Sequence, residues 1–269
     1  VISYDASKCG YYLASKNNAG RLPGGFVRRS WIPVGALWLG YTVALIVLVR
    51  QINWFPQQWA AEAEVVDDAM LLLQYLAAPV MALVLAVMTW SLIGWRSSGA
   101  QRDDGPPQRN NRTVVTTWLV ITSALAIYVV INPGFVGLAE IRGEPESDYV
   151  INVQAQQFFW EITYPNGAVA LDELVIPVDK RVRYDVISTD VLHSFWIPAF
   201  RVKIDAIPGV STTLYATAER EGTFQEDDVN LRIQCAELCG AGHATMMLPI
   251  RVVSDADWTQ YIEDLVSNG

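Results

Sequence analysis

The sequence is short of charge, of histidine and of cysteine. Only 17% of its 269 residues are charged against 52% hydrophobic, with a mean hydropathy of +0.22. That balance excludes a purely soluble chain and predicts one that is part membrane and part soluble. Basic residues are scarce in the second half: residues 133–269 carry 9 Lys and Arg against 21 Asp and Glu, a net −12, whereas residues 1–132 carry 10 against 7, a net +3. So acidic a half does not suit nucleic acid. It suits a basic partner, whose arrival it would speed, or it simply keeps the domain in solution. No C-x-x-C-H occurs, which excludes a fused haem c. Cys9 has no small-residue lipid-attachment context before it and reads as a plain reduced thiol. The chain starts at Val1 rather than at Met, which suggests processing or an incomplete start.

Three long apolar runs are present. Trp31–Val49 is 19 uncharged residues, Ala69–Trp95 is 27 and Thr113–Ile131 is 19, each close to the ~20 that a membrane helix needs. Trp31, Trp38, Trp54, Trp59, Trp90 and Trp95 gather near the run ends, as interfacial aromatics do. The first 30 residues hold five bases and the loop Arg96–Arg112 holds four, while the loop Arg50–Asp68 holds one base and four acids. Basic flanks stay inside, so the tail and the second loop are expected in the cytoplasm and the acidic half outside it. The expected domains are a basic tail at 1–30, a three-span region at 31–132 and an extracytoplasmic domain at 133–269.

From Asp148 the texture turns to short β-rich runs. Tyr149–Val153, Phe158–Tyr164, Leu174–Val178, Arg181–Ser188, Ser211–Thr217, Asn230–Gln234 and Ile250–Val253 are strand candidates, separated by Pro165-Asn-Gly167, Pro208-Gly209 and Glu221-Gly222. Such spacing predicts an all-β sandwich. Ser254, followed by Asp255 and Asp257, caps an amphipathic helix expected to run to about Val266.

The chemistry is concentrated in Cys235-Ala-Glu-Leu-Cys-Gly-Ala-Gly-His-Ala-Thr-Met246. Two thiols, an imidazole and a thioether follow the spacing C-x3-C-x3-H-x2-M, and all four are ligands for soft or borderline metals. Gly240 and Gly242 make this a loop able to wrap an ion. Zinc suits Cys and His, but a thioether serves it poorly, so Met246 favours copper. The plain alternative is a structural Cys235–Cys239 disulfide in an extracytoplasmic domain.

This stretch resembles the copper loop of subunit II of the haem-copper cytochrome c oxidases, which binds the dinuclear CuA centre. Asp190-Val-Leu-His-Ser-Phe-Trp-Ile-Pro198 and Lys203-Ile-Asp-Ala-Ile-Pro-Gly209 resemble further motifs of that family, in the same order. The resemblance implies a cupredoxin-like Greek-key sandwich. It implies that Cys235 and Cys239 bridge two coppers, that His193 and Met246 complete one, and that His243 and the Glu237 carbonyl complete the other. The loop at 190–198 must then fold over the loop at 235–246, and Met247 is expected in the core. The resemblance further implies a magnesium or manganese ion facing the Glu237 carboxylate, with Lys203 and Asp205 at the boundary with a haem-bearing subunit I. Electrons would come from a c-type cytochrome or another basic donor by way of Phe158 and Trp160, in the plasma membrane of a prokaryote.

Three positions and one added span depart from the family pattern. A Trp is usual at Phe158, a Glu at Val115 and an Arg at Val210, and the typical member has a two-helix hairpin, so the first span is an addition. The CuA subunit of a nitric oxide reductase and a membrane-anchored copper carrier are the competing functions.

Overall fold

The computed structural model describes residues 24–94, 111–143 and 146–268; residues 1–23, with Cys9, and most of the loop Arg96–Arg112 lie outside them. Among the described residues, three helical stretches are long and apolar enough to cross a membrane. The first is α1 (Gly24–Gln51), which begins inside the stretch read as a tail. The second is α2 (Ala61–Ile93), eight residues ahead of the uncharged run; its first turn carries Glu62 and Glu64, favourable against the positive end of the helix dipole. The third is α3 (Arg112–Val129), capped by the Asn111 side chain, which accepts from the Val114 amide. It runs through a π turn (Val130–Phe135) into α4 (Val136–Arg142). Pro133 lacks an N–H and Asn132 leaves the helical region, so the axis breaks there. No residue of α3 is buried, and Val115, Trp118 and Leu119 are all exposed, as expected of a face meant for lipid or another chain.

The described residues divide into two units, one from residues 24–50 with 75–94 and one from 51–74 with 111–143 and 146–268. In the first, Trp38 donates its indole N–H to the Pro79 carbonyl at 2.8 Å, and the Tyr41 hydroxyl meets Thr89 at 3.1 Å.

The second unit is built on a two-sheet β-sandwich. Its strands are β1 (Tyr149–Gln156), β2 (Phe159–Thr163), β3 (Val169–Ala170), β4 (Leu174–Pro177), β5 (Arg181–Ser188), β6 (His193–Ile197), β7 (Val202–Ala206), β8 (Thr212–Thr217), β9 (Gly222–Thr223), β10 (Arg232–Cys235) and β11 (Met247–Val253). One sheet runs β3-β2-β1-β5-β8; the other runs β4-β11-β10-β6-β7, with β9 paired to β11. β5 alternates half-buried and buried side chains along its length, the period-2 signature of a strand with one face on a core. β4 is buried at every position because α5 (Asp255–Asn268) covers its outer side, where Trp258 donates to the Val175 carbonyl. Ser254 caps α5 as expected, accepting from the Asp257 amide at 3.1 Å.

All seven strand candidates are present, Arg181–Ser188 with the same ends and the other six with shifted ends. The sequence reading missed β3, β6, β7 and β9. Two-residue strands leave no periodic signal, and β6 and β7 lie inside stretches that carry ligand and turn residues. The larger surprise is the segment ahead of α2, read as a plain interspan loop. Trp59 is only 3% exposed and Ala60 is fully buried, both within the sandwich core. Trp59 donates to Asp228 at 2.9 Å and its carbonyl accepts from the Glu219 amide at 3.0 Å. The Trp at this run end is therefore a core residue rather than an interfacial anchor.

Candidate metal centre

Cys235 closes β10, and β10 pairs antiparallel with β6 so that Cys235 lies opposite Phe195. His193 stands two residues before Phe195, on the same inward face, and is fully buried. The 190–198 stretch therefore reaches the cysteine loop as a paired strand rather than as an overlying loop. The Cys235 amide donates to the Met246 carbonyl at 3.0 Å and the Ala236 amide to the Ser194 carbonyl at 3.0 Å, which closes residues 236–245 into one loop. Within it Gly240 takes φ 133°, a conformation that suits glycine. A Cβ on Gly242 would lie 2.5 Å from the Phe158 ring, so that ring rests directly on the loop.

The sulfur and imidazole donors converge. One ligand atom each from His193, Cys235 and Cys239 fall within 4.8 Å of one another. His193 Nδ1 is 3.8 Å from Cys235 Sγ, His243 Nδ1 is 3.7 Å from Cys239 Sγ, and Met246 Sδ is 3.8 Å from Cys239 Sγ. The Glu237 carbonyl is 3.2 Å from Cys235 Sγ. The two sulfurs stand 3.7 Å apart as free thiols, well beyond the ~2.05 Å of a disulfide. Cys235, Cys239, His193 and Met246 are buried, while His243 is half-buried.

Burial, and then the neighbouring Cys235, push the Cys239 thiol up to about 11. Two buried thiolates side by side would be untenable without a cation, and a soft cation is what this donor set accepts. The residues present fit copper on that ground.

The supports around the ligands carry no signal as strong as the ligands themselves. Asp190 accepts from His193 Nε2 at 2.8 Å and from the Gln157 amide at 2.8 Å, so the ring's other nitrogen, Nδ1, faces Cys235. Burial alone would raise the Asp190 carboxyl, but its hydrogen bonds from His193 and the Gln157 and Val191 amides outweigh this and hold it at about 2. Gln157 also donates its side-chain amide to the Cys239 carbonyl. The only sequence hint was that Asp190 stands three residues before one of two histidines.

Two sequence expectations change in place. Trp160 is fully buried, edge-on to His193 with centroids 6.2 Å apart, so no docked partner touches it; Phe158, 37% exposed, is at the surface. Met247 is 39% exposed, not in the core, because β11 begins there and strand alternation turns it outward while Leu248 turns in. Lys203 and Asp205 lie exposed on β7, which pairs with the strand that carries His193. Asp205 accepts from Ser194 at 2.8 Å, and Lys203 lines a cavity of about 490 Å³ with Leu138, Ile141, Arg142 and Tyr215. Val210 is 51% exposed.

The family profile described as "Cytochrome C oxidase subunit II, periplasmic domain" matches residues 168–254. Among relatives, "Cytochrome c oxidase subunit 2" of Thermostichus vulcanus is 26% identical, over 83% of this chain and 79% of the relative. The protein of the same description from Alkalihalophilus pseudofirmus is 30% identical, over 76% of this chain and 59% of the relative. Among solved structures, the periplasmic domain of subunit II of cytochrome oxidase of Bradyrhizobium japonicum is 33% identical, over 46% of this chain and 97% of that one, with a TM-score of 0.41.

Proposed function

We propose the following for a chain that belongs to the cytochrome c oxidase subunit II family: it is the electron-accepting subunit of a haem-copper terminal oxidase. It takes electrons one at a time from a c-type cytochrome or another basic carrier and hands them to haem in subunit I, where oxygen is reduced. The observation that supports this most is the meeting of His193, Cys235, Cys239, His243 and Met246 from two separate stretches of chain.

Those five side chains and the Glu237 carbonyl would hold a dinuclear copper centre. Copper held there by the Cys235 and Cys239 sulfurs and their neighbours would supply a one-electron couple. The protein's own part is to keep the donors still. The Asp190 bond fixes the His193 ring, and the Gln157 amide holds the loop at the Cys239 carbonyl. Burial of Met246 and His193 keeps water from that side of the site. Phe158, lying on Gly240 and Gly242, offers a donor an apolar surface directly over the ligand loop. The exposed Glu237 carboxylate is available to a magnesium or manganese ion at a boundary with subunit I, and the exposed Lys203 and Asp205 would pair with groups of that subunit. The three apolar helices anchor the chain in a prokaryotic plasma membrane, with the acidic sandwich on the outer face.

The test is the electron paramagnetic resonance spectrum of the copper-loaded full chain in detergent, with copper stoichiometry. A signal from one unpaired electron shared by two coppers is expected. A single-copper signal, or a preference for zinc, would overturn the reading in favour of a copper carrier.

A further inference from the structure

Two acids at the start of α2 are nearly sealed from solvent, Glu62 at 4% exposure and Asp67 at 5%, and each meets an arginine of the sandwich. Asp67 and Arg201 pair side-on, Nε to Oδ1 at 3.0 Å and Nη2 to Oδ2 at 3.0 Å, the bidentate geometry that fixes direction as well as distance. The other donors of Arg201 are engaged too: Nη1 by the carbonyls of Pro198 and Ala199 at 3.1 and 3.0 Å, and Nη2 by that of Pro56. Arg201 itself holds φ 59°, a left-handed conformation costly for a residue with a Cβ, which persists only where its surroundings over-determine it. It stands at the exit of the strand that carries His193.

Arg181 does the same work on a different element. Its guanidinium lies 3.7 Å from Glu62 and donates to the carbonyls of Ile141 and Arg142, at the end of α4. Those carbonyls are the unsatisfied negative end of the helix, where a cation is favoured. Between the two arginines, the segment from Pro56 to Ala60 is held along the sandwich by Trp59, by the bridge between Ala60 and Ala218, and by Gln58, which donates to Asp67 at 2.9 Å.

We infer that residues 56–67 are a positioning strap, with Arg201 and Arg181 its buckles, that holds the copper-bearing sandwich at one fixed place on the outer ends of α2 and α4. Buried ion pairs are weak evidence for stability, because two well-packed apolar side chains serve as well or better; what they supply is a unique arrangement. That arrangement matters here if the site must deliver electrons to a neighbour across a set distance, so the inference rests on the proposed function. The strap would act after electron uptake. Uptake depends on the face near Phe158, formed by loops that these pairs do not touch. Delivery depends on where the sandwich is held.

The experiment uses the assembled oxidase carrying Asp67→Leu with Arg201→Met, so that neither charge is left buried alone, and separately Arg201→Lys, which keeps the charge but loses the fork. A ruthenium bipyridyl photoreductant injects one electron into the copper site, and its onward passage to haem is followed optically. The double variant is expected to keep the copper spectrum and to take up the electron within about twofold of the native rate, while delivery falls on the order of tenfold or more. Arg201→Lys is expected to lie between the two. Hydrogen exchange along residues 56–67 should be slow in the native chain and fast in the double variant, a readout that needs no haem. Unchanged delivery, unchanged exchange, or a parallel loss of spectrum and uptake would each overturn the strap. If the native assembly itself passes no electron to haem, the proposed function fails, and exchange alone decides the strap.

Discussion

The two ends of the sandwich are built in opposite ways. At the end with the sulfur and imidazole cluster, four of the five proposed side-chain ligands fall within twelve consecutive residues and His193 is brought in by one strand pairing. At the end that meets α2, Trp59 bonds Asp228 across 169 positions, and Asp67 meets Arg201 across 134. One end is a local loop closed on itself; the other is a joint between segments that two membrane-length helices separate in sequence. Local construction suits a centre whose ligands must keep fixed spacing. A long-range joint suits something that must hold one part of the molecule to another, since it forms only when both parts are in place.

Substitutions at the two ends should therefore fail differently. Cys235→Ser is expected to abolish the two-copper centre entirely while leaving the sandwich folded, read as lost copper stoichiometry with an unchanged far-ultraviolet spectrum; retention of two coppers would break the contrast. Trp59→Ala should do the reverse, leaving the ligand loop intact but destabilising the sandwich by about 3–5 kcal/mol in urea titration, the usual cost of emptying a buried aromatic position. A loss below about 1 kcal/mol would mean that the segment merely lies on the surface. Asp190→Ala frees the His193 ring without removing a ligand. Copper affinity should weaken roughly 10–100-fold, the range for loss of a ligand's supporting bond, measured by competition with a chelator. Met246→Leu preserves volume in a fully buried position, so stability should change by less than about 1.5 kcal/mol. Much of the copper should stay bound, and the reduction potential should shift. An unchanged potential would remove Met246 from the ligand set.

What could be read in advance follows the same division. The ligand loop was legible because soft donors in one short stretch are rare together, and Ser254 was legible because a cap and its helix are neighbours. The inward turn of His193 was not, since it depends on β6 pairing with β10 in one register out of several. Trp160 illustrates the limit: an aromatic two residues from Phe158 reads as a second surface contact, yet Phe158 lies in the turn ahead of β2 while Trp160 is inside the strand with its side chain in the sandwich core. Met246 and Met247 are chemically identical neighbours, and only the start of β11 decides which is buried.

By itself the sequence determined three membrane-length runs, an acidic β-rich domain and a copper-type ligand loop. These are properties of periodicity, charge and short spacing, which act between residues close along the chain. Tertiary structure alone decided that Trp59 belongs to the sandwich core, that Arg201 and Arg181 meet Asp67 and Glu62, and that Asp190 holds the His193 ring. Each of these is a contact whose partner is chosen by packing, and packing is settled only when the whole chain has folded.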